Sequence, residues 1–236
     1  MLDDTDVRRA LVITAHPDDV DFGAAGTIAL WADAGVSVTY CVITDGDAGG
    51  FDPAVPRDQI AGIRQAEQRA AAKAVGAADV IFLGYPDGQL VVSLDLRRDI
   101  ARVIREVQPQ RAICQSPQRN MTRIYASHPD HLAAGEAGLC AIYPDARNPF
   151  TFPEISHLEA WSVAETWVMG MDRANHYVDI TDTFDRKMKA LHAHVSQHPE
   201  PDGLDEMVRG WNELNAQAGG LPEGHVAEAF WVLETG

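Results

Sequence analysis

Imidazoles and carboxylates crowd into two short segments of the chain. His16, Asp18 and Asp19 occur in the run AHPDD, and His128, Asp130 and His131 in the run HPDH. Residues three apart reach the same side of a helical turn, and a neutral imidazole beside a carboxylate is a donor pair that suits zinc. Taken singly, each segment also reads as an ordinary helix start, because Pro is favoured at the first helical position and Asp in the first turn. The recurrence of the pattern argues for chemistry. Two ligands from the first segment and one from the second would leave an ion with an open position, the arrangement of a catalytic zinc site. Asp18 would stand beside the metal without binding it.

The fold must bring residues 16 and 131 together. Residues 10–15 (ALVITA) form a short apolar run closed by a turn, as in a buried parallel strand. A helix is expected over Ala24 to Ala34, stopped by Gly35, then a β-branched strand over 36–44. After a loop from Asp45 to Pro56, a helix from Gln59 to Gly76 leads into a strand at 79–83. The amphipathic LDLRRDIARVIREV and the strand RAICQS complete this half. The β-α-β-α-β-α-β alternation predicts an α/β fold: a Rossmann-like, mostly parallel sheet flanked by helices, in a single domain spanning 1–236. Ligands bind such sheets at the carboxyl ends of the strands, where the first and fourth strands can be neighbours. The informative loops are thus those after Ala15, Thr44, Leu83 and Ser116.

In the second half, HPDHLAAGEAGLCAIY is expected to be helical and EAWSVAETWVM a strand. ITDTFDRKMKALHAHVSQ is expected to be a helix capped by Thr181 or Asp182. Residues 199–225 read as mixed helix and loop, and AEAFWVLE as strand or helix.

Composition narrows the partners. Nineteen Lys and Arg against 35 Asp and Glu give a formal charge of −16, a field that repels nucleic acid and anionic lipid. No stretch is apolar enough to span a bilayer. Three cysteines without CxxC spacing fit a reducing cytoplasm.

AHPDD after the first strand, combined with HPDH, resembles the PIG-L/LmbE family of zinc N-deacetylases. TDGDAGG, IRQAEQRAAAKAVGAADVIFLGYPDGQL, VDITDTFDRKMKALHAHVSQ and AEAFWV resemble further family segments, so the likeness covers most of the chain. The resemblance implies that His16, Asp19 and His131 bind Zn²⁺, with Fe²⁺ as an alternative. It implies that a zinc-bound water attacks the acetamide of a small N-acetylated, sugar-like substrate, with Asp18 as general base. His128 would stabilise the oxyanion, with Asp130 orienting it and keeping it protonated. Arg64, Asp87 and Asp47 would hold substrate, although Arg64 also reads as a surface residue paired with Glu67 or Asp58. Relatives assemble as trimers or hexamers, so a homo-oligomer is expected.

The chain departs from the family in two places. Val20 and Asp21 follow AHPDD where a Glu is common, and Ala126 stands where some relatives carry a tyrosine, with Tyr125 one step further away. His194 with Gln197 resembles a family feature that approaches the site. Trp161, Trp167 and Trp231 read as core or subunit contacts rather than sugar platforms. The competing readings are an amidase of a thiol conjugate and a non-catalytic sugar- or nucleotide-binding module. The second lacks GxGxxG and GxxxxGK[ST] in the first turn.

Overall fold

The computed structural model describes residues 1–121, 124–198 and 203–236, excepting the side chains of Tyr125 and Ala126. Whether Tyr125 stands in for the tyrosine of some relatives therefore lies outside the described residues. Strands β1 (Arg9–Thr14), β2 (Ser37–Thr44), β3 (Asp79–Tyr85) and β4 (Arg111–Gln115) alternate with helices α1 (Asp19–Asp33), α2 (Arg57–Val75) and α3 (Leu94–Val107). Helix α4 (Pro129–Cys140) leads to β5 (Glu165–Met169) and β6 (His176–Asp179). Helices α5 (Phe184–Leu191) and α6 (Leu204–Ala218) precede β7 (Ala227–Glu234). The seven strands form one sheet in the order β3-β2-β1-β4-β5-β7-β6, parallel from β3 through β5. β7 runs antiparallel between β5 and β6.

Strand β1 is buried on both faces, which explains its unbroken apolar run. Ala10 and Val12 face one core, with α1, α2 and Trp167, while Leu11 and Ile13 face the other, with α3 and α4. Because β1 pairs with β4, the loops that leave their carboxyl ends meet. Among the described residues, no helix is long and apolar enough to cross a membrane.

Several boundaries differ from expectation. α1 starts at Asp19 instead of Ala24, because Asp19 and Asp21 in its first turn complement the positive helix end. Only residues 165–169 of the predicted strand over 159–169 pair. The helix expected over 180–197 is α5 alone, capped at Thr183 and ending at Leu191, with Thr181 and Asp182 in a preceding 3-10 turn. β6 was not foreseen, and much of the segment read as mixed structure is the single helix α6.

One glycine governs how closely α4 approaches the sheet. A Cβ at Gly135 would lie 2.4 Å from the Gln115 carbonyl oxygen and 2.8 Å from the Pro117 nitrogen, both backbone atoms. By contrast, Gly62 in α2 faces open space. Gly135→Ala should therefore destabilise the protein by about 1–3 kcal/mol through overpacking. Gly62→Ala should stabilise it by about 0.5–1 kcal/mol through helix propensity. Urea denaturation checks both signs, and equal shifts would mean that α4 is not seated against the end of β4.

Candidate metal centre

The loop after β1 is tied down by its backbone. The Ala15 amide donates to Gln115 Oε1 at 2.8 Å, the His16 amide to Asp19 Oδ2 at 2.7 Å, and the Asp18 amide to Gln68 Oε1 at 2.8 Å. Asp18 adopts a left-handed conformation with φ of 91°. Such a conformation costs about 1–3 kcal/mol and persists where surrounding contacts impose it. Although Asp18 occupies the N-cap of α1, its side chain makes no capping bond, which leaves the carboxylate for other work.

Three side chains converge beside it. His16 Nδ1 lies 3.2 Å from His131 Nε2 and 3.4 Å from Asp19 Oδ2, and His131 Nε2 lies 3.0 Å from Asp19 Oδ1. A tetrahedral zinc with bonds of 2.0–2.1 Å needs ligand atoms about 3.3 Å apart. Two imidazole nitrogens 3.2 Å apart cannot both present lone pairs to each other, so either a proton or a cation lies between them. The donor set therefore fits a divalent cation.

The other nitrogen of His16 is engaged. Nε2 lies 3.0 Å from Asp87 Oδ1 and 3.2 Å from Asp130 Oδ2. An Nε2–H donating to these carboxylates leaves Nδ1 as the lone pair that faces Asp19 and His131, as in metal-binding histidines generally. Asp130 is fully buried and also accepts from the Gly88 amide at 2.7 Å and the Leu90 amide at 3.2 Å. His16, Asp87 and Asp130 are close enough to hold a cation themselves. The backbone amides already on Asp130 favour the hydrogen-bonded arrangement instead.

The electrostatics follow this geometry. Burial disfavours charge on His16, but Asp130, Asp19 and Asp87 together outweigh it and push the imidazole up to about 12, so a metal ion at Nδ1 would have to displace a proton from it. Burial pushes the Asp19 carboxyl up, and the opposing pull of His131 and His16 leaves it well below the ordinary range. Burial lifts Asp18 to about 6, against the pull of the Arg64 guanidinium.

Three expectations about side-chain partners need correction. Asp130 does not place its carboxylate on His128. Instead its amide donates to His128 Nδ1 at 3.2 Å while the carboxylate serves His16. His128 is accordingly not held protonated: burial, then His16 and His131, lower its pKa. Arg64 is not a surface residue. It is 4% exposed and donates to the Pro17 carbonyl at 2.5 Å, to Asp18 Oδ2 at 3.1 Å and to the Gly46 carbonyl at 3.1 Å. Asp87 is turned to His16, and Asp47 accepts from Arg57 Nε at 2.7 Å and from the Asp87 amide at 2.9 Å. Both carboxylates tie loops together, and Asp47, paired with the exposed Arg57, stays partly exposed itself.

A buried relay lies behind Asp18. Gln68, whose oxygen holds the Asp18 amide, donates through Nε2 to Asp21 Oδ2 at 2.8 Å, and that oxygen also contacts His194 Nε2 at 2.8 Å. His194 thus approaches the site from behind, and Asp21 supplies buried acidic support one position past the customary Glu. Trp167 is buried in the core, with Trp161 and Trp231 packed against the second cluster, as the sequence suggested. A cavity of about 610 Å³ opens onto Asp19 and His131. Its wall includes Met207 and Trp211 from α6, neither of which the sequence singled out. A second groove, between α5 and α6, shares no lining residue with this site.

Residues 11–142 match the family described as PIG-L: GlcNAc-PI de-N-acetylase, more than half of the chain. Diacetylchitobiose deacetylase of Thermococcus kodakarensis is 32% identical over 196 residues, covering 83% of this chain and 72% of that protein. A probable N-acetyl-alpha-D-glucosaminyl L-malate deacetylase 2 of Bacillus cereus is 36% identical over 196 residues, covering 80% of this chain and 84% of that one. The solved structure of N,N'-diacetylchitobiose deacetylase from Pyrococcus horikoshii with its inhibitor MPG superposes with a TM-score of 0.87 at 28% identity, covering 97% of this chain and 85% of that one.

Calorimetry with Zn²⁺ tests the donor triangle. Metal-free protein should take up one ion, and His131→Gln should abolish tight binding. Asp87→Asn, which loosens His16 without removing a ligand, should weaken affinity by about 10–100-fold. Undiminished binding by His131→Gln would rule out the triangle.

Proposed function

The chain belongs to the PIG-L family, and from that premise we propose that it is a metal-dependent hydrolase that removes the acetyl group from an N-acetylglucosamine-type conjugate. The observation that carries this reading is the convergence of His16 Nδ1, His131 Nε2 and Asp19 within 3.0–3.4 Å, at the mouth of a cavity and next to the Arg64-held Asp18. The names of the two relatives and of the solved structure, all deacetylases, support the reaction class. We assign Zn²⁺, with Fe²⁺ suited to the same ligands. A divalent ion there supplies a Lewis acid that acidifies water and polarises the acetamide carbonyl.

Asp18 then acts as general base. Arg64 and the Gln68 contact to its amide fix its position, and its carboxylate takes a proton from the attacking water. His128, whose Nδ1 accepts from the Asp130 amide, retains Nε2–H as a neutral donor for the developing oxyanion. When the C–N bond breaks, the proton on Asp18 passes to the departing nitrogen, giving acetate and a free amine. Asp130 and Asp87 hold His16 in the ligating tautomer. A nucleotide-binding module fits poorly, because Asp18 and Asp19 place carboxylates at the α1 N-terminus, where a phosphate would sit. A cytoplasmic setting is favoured by the three free cysteines.

Amine release from a panel of N-acetylated sugars, with metal-free protein before and after zinc addition, tests the reading. Zinc-dependent release is expected. Asp18→Asn should keep its metal and lose turnover, and His128→Ala should lose about 10²–10³ in kcat. Zinc bound without release from any sugar would overturn the substrate assignment.

The pH profile gives a separate check. Since the base must be ionised, kcat/KM should fall as pH drops through the Asp18 pKa. Its acid limb should therefore sit at or below about 6 in the loaded enzyme. Arg64→Met, which removes the pull toward ionisation, should move the limb to higher pH. A limb that does not move would mean that Asp18 is not the titrating base.

A further inference from the structure

Gln68, Asp21 and His194 stand behind the base, fully buried, and none of them lines the cavity. Arg64 and Gln68 lie four apart on α2, so one face of that helix delivers two contacts to Asp18. The guanidinium meets its carboxylate, and the glutamine oxygen accepts from its backbone amide. The second contact bears on aim, since Asp18 holds a φ of 91° that surrounding contacts must impose.

A glutamine amide has two unlike ends, an accepting oxygen and a donating nitrogen, which exchange places when the group turns over. Asp18 needs the oxygen, because its N–H donates. At the other end stands Asp21 Oδ2, 2.8 Å from Gln68 Nε2. A carboxylate there admits the donating end, so Asp21 sets which end reaches Asp18. Turned over, the amide would face a donor with a donor at Asp18 and an acceptor with an acceptor at Asp21.

Asp21 is itself aimed. His194 Nε2 lies 2.8 Å from the same oxygen, whereas Asp21 Oδ1 has no hydrogen-bond partner among the described residues. Both contacts fall on Oδ2, and His194 keeps that oxygen turned toward Gln68. His194 follows α5 in a turn that is clamped to α2 beside Gln68. There the Ser196 amide and hydroxyl donate to Glu67 Oε1 and Oε2, each at 2.7 Å.

We infer that Asp21 and His194 are positioning residues for the base: together they hold the Gln68 amide in the one orientation that binds the Asp18 N–H, and so fix the backbone from which the Asp18 carboxylate is aimed. The inference rests on the deacetylase reading, which makes Asp18 the base. Neither residue touches the reacting atoms; each acts through Gln68.

Substitutions that remove or keep the hydrogen-bonding atom test it on the zinc-loaded protein, with N-acetylglucosamine as the probe. Asp21→Ala should lower kcat by about 10–100-fold, the usual range for a group that orients a catalytic residue. KM and zinc affinity should stay close to those of the unaltered protein, a split that a general folding defect would not produce. Asp21→Asn, whose oxygen still has donors on both sides, should recover most of that loss. His194→Leu should behave like Asp21→Ala, and His194→Gln, which restores a donor, should recover activity in the same way. If Asp21→Ala does not fold, the two His194 variants carry the comparison.

Exchange of the Asp18 amide proton, followed by NMR, reads the geometry apart from turnover. It should quicken by at least about 10-fold in Asp21→Ala and His194→Leu, while the Val12 amide inside β1 stays protected. Unchanged kcat or unchanged Asp18 exchange in both of these variants overturns the inference, as do equal losses in Asp21→Ala and Asp21→Asn. Absence of amine release by the unaltered protein counts against the deacetylase reading alone, and exchange at Asp18 then decides the inference by itself.

Discussion

A neutral imidazole has one lone pair to offer, and the molecule determines which nitrogen of His16 carries it. Asp130 and Asp87 take Nε2, so Nδ1 is the nitrogen turned to Asp19 and His131. Much of the surrounding architecture serves that choice. The amides of Gly88 and Leu90, beyond β3, hold the Asp130 carboxylate, and the Asp47 carboxylate, beyond β2, holds the Asp87 amide. Loops from β1, β2, β3 and β4 thus meet over one ring. They can do so because the four strands run parallel and end on the same side of the sheet.

The same economy governs charge. Burying a guanidinium or an ammonium is tolerable when its hydrogen bonds are satisfied, and costly when a partner is missing. Arg64 bridges Asp18 and the Pro17 and Gly46 carbonyls, so α2 locks the loop before α1. Lys187 joins α5 to the Asp21 and Phe22 carbonyls of α1 and to Glu228 of β7. Asp18 and the far wall of the cavity are therefore fixed by two separate ionic clusters, both beside the first turns of α1.

The first half of the fold was legible because each strand of the parallel sheet is a short apolar run, and the helix α3 matches LDLRRDIARVIREV residue for residue. The convergence of His16, Asp19 and His131 was legible because their spacing repeats across two segments. Partnerships were harder to read. Asp130 lies two residues from His128 in sequence, yet its carboxylate belongs to His16, since helix α4 turns that side chain inward while His128 stays at the cap. Arg64 looked exposed because α2 is polar along much of its length, and nothing in its neighbours tells that one turn faces the site. The later elements were obscured for a different reason. β6 has four residues, all only partly buried, and its pattern is too short to stand out. Trp211 and Met207 carry no motif, and their meaning depends on how α6 crosses the sheet edge.

Function is divided along the chain. Every candidate ligand and the groups that orient them fall within residues 11–142, the span that matches the family, whereas Met169, Met171, Met207 and Trp211 all lie beyond it. The candidate ligands and much of the cavity wall can therefore vary on separate schedules. Exchange of the carboxyl-terminal elements between relatives is a route by which one hydrolytic core could be fitted to new conjugates, with α1 and its two ionic anchors as the seam that any such exchange would have to respect.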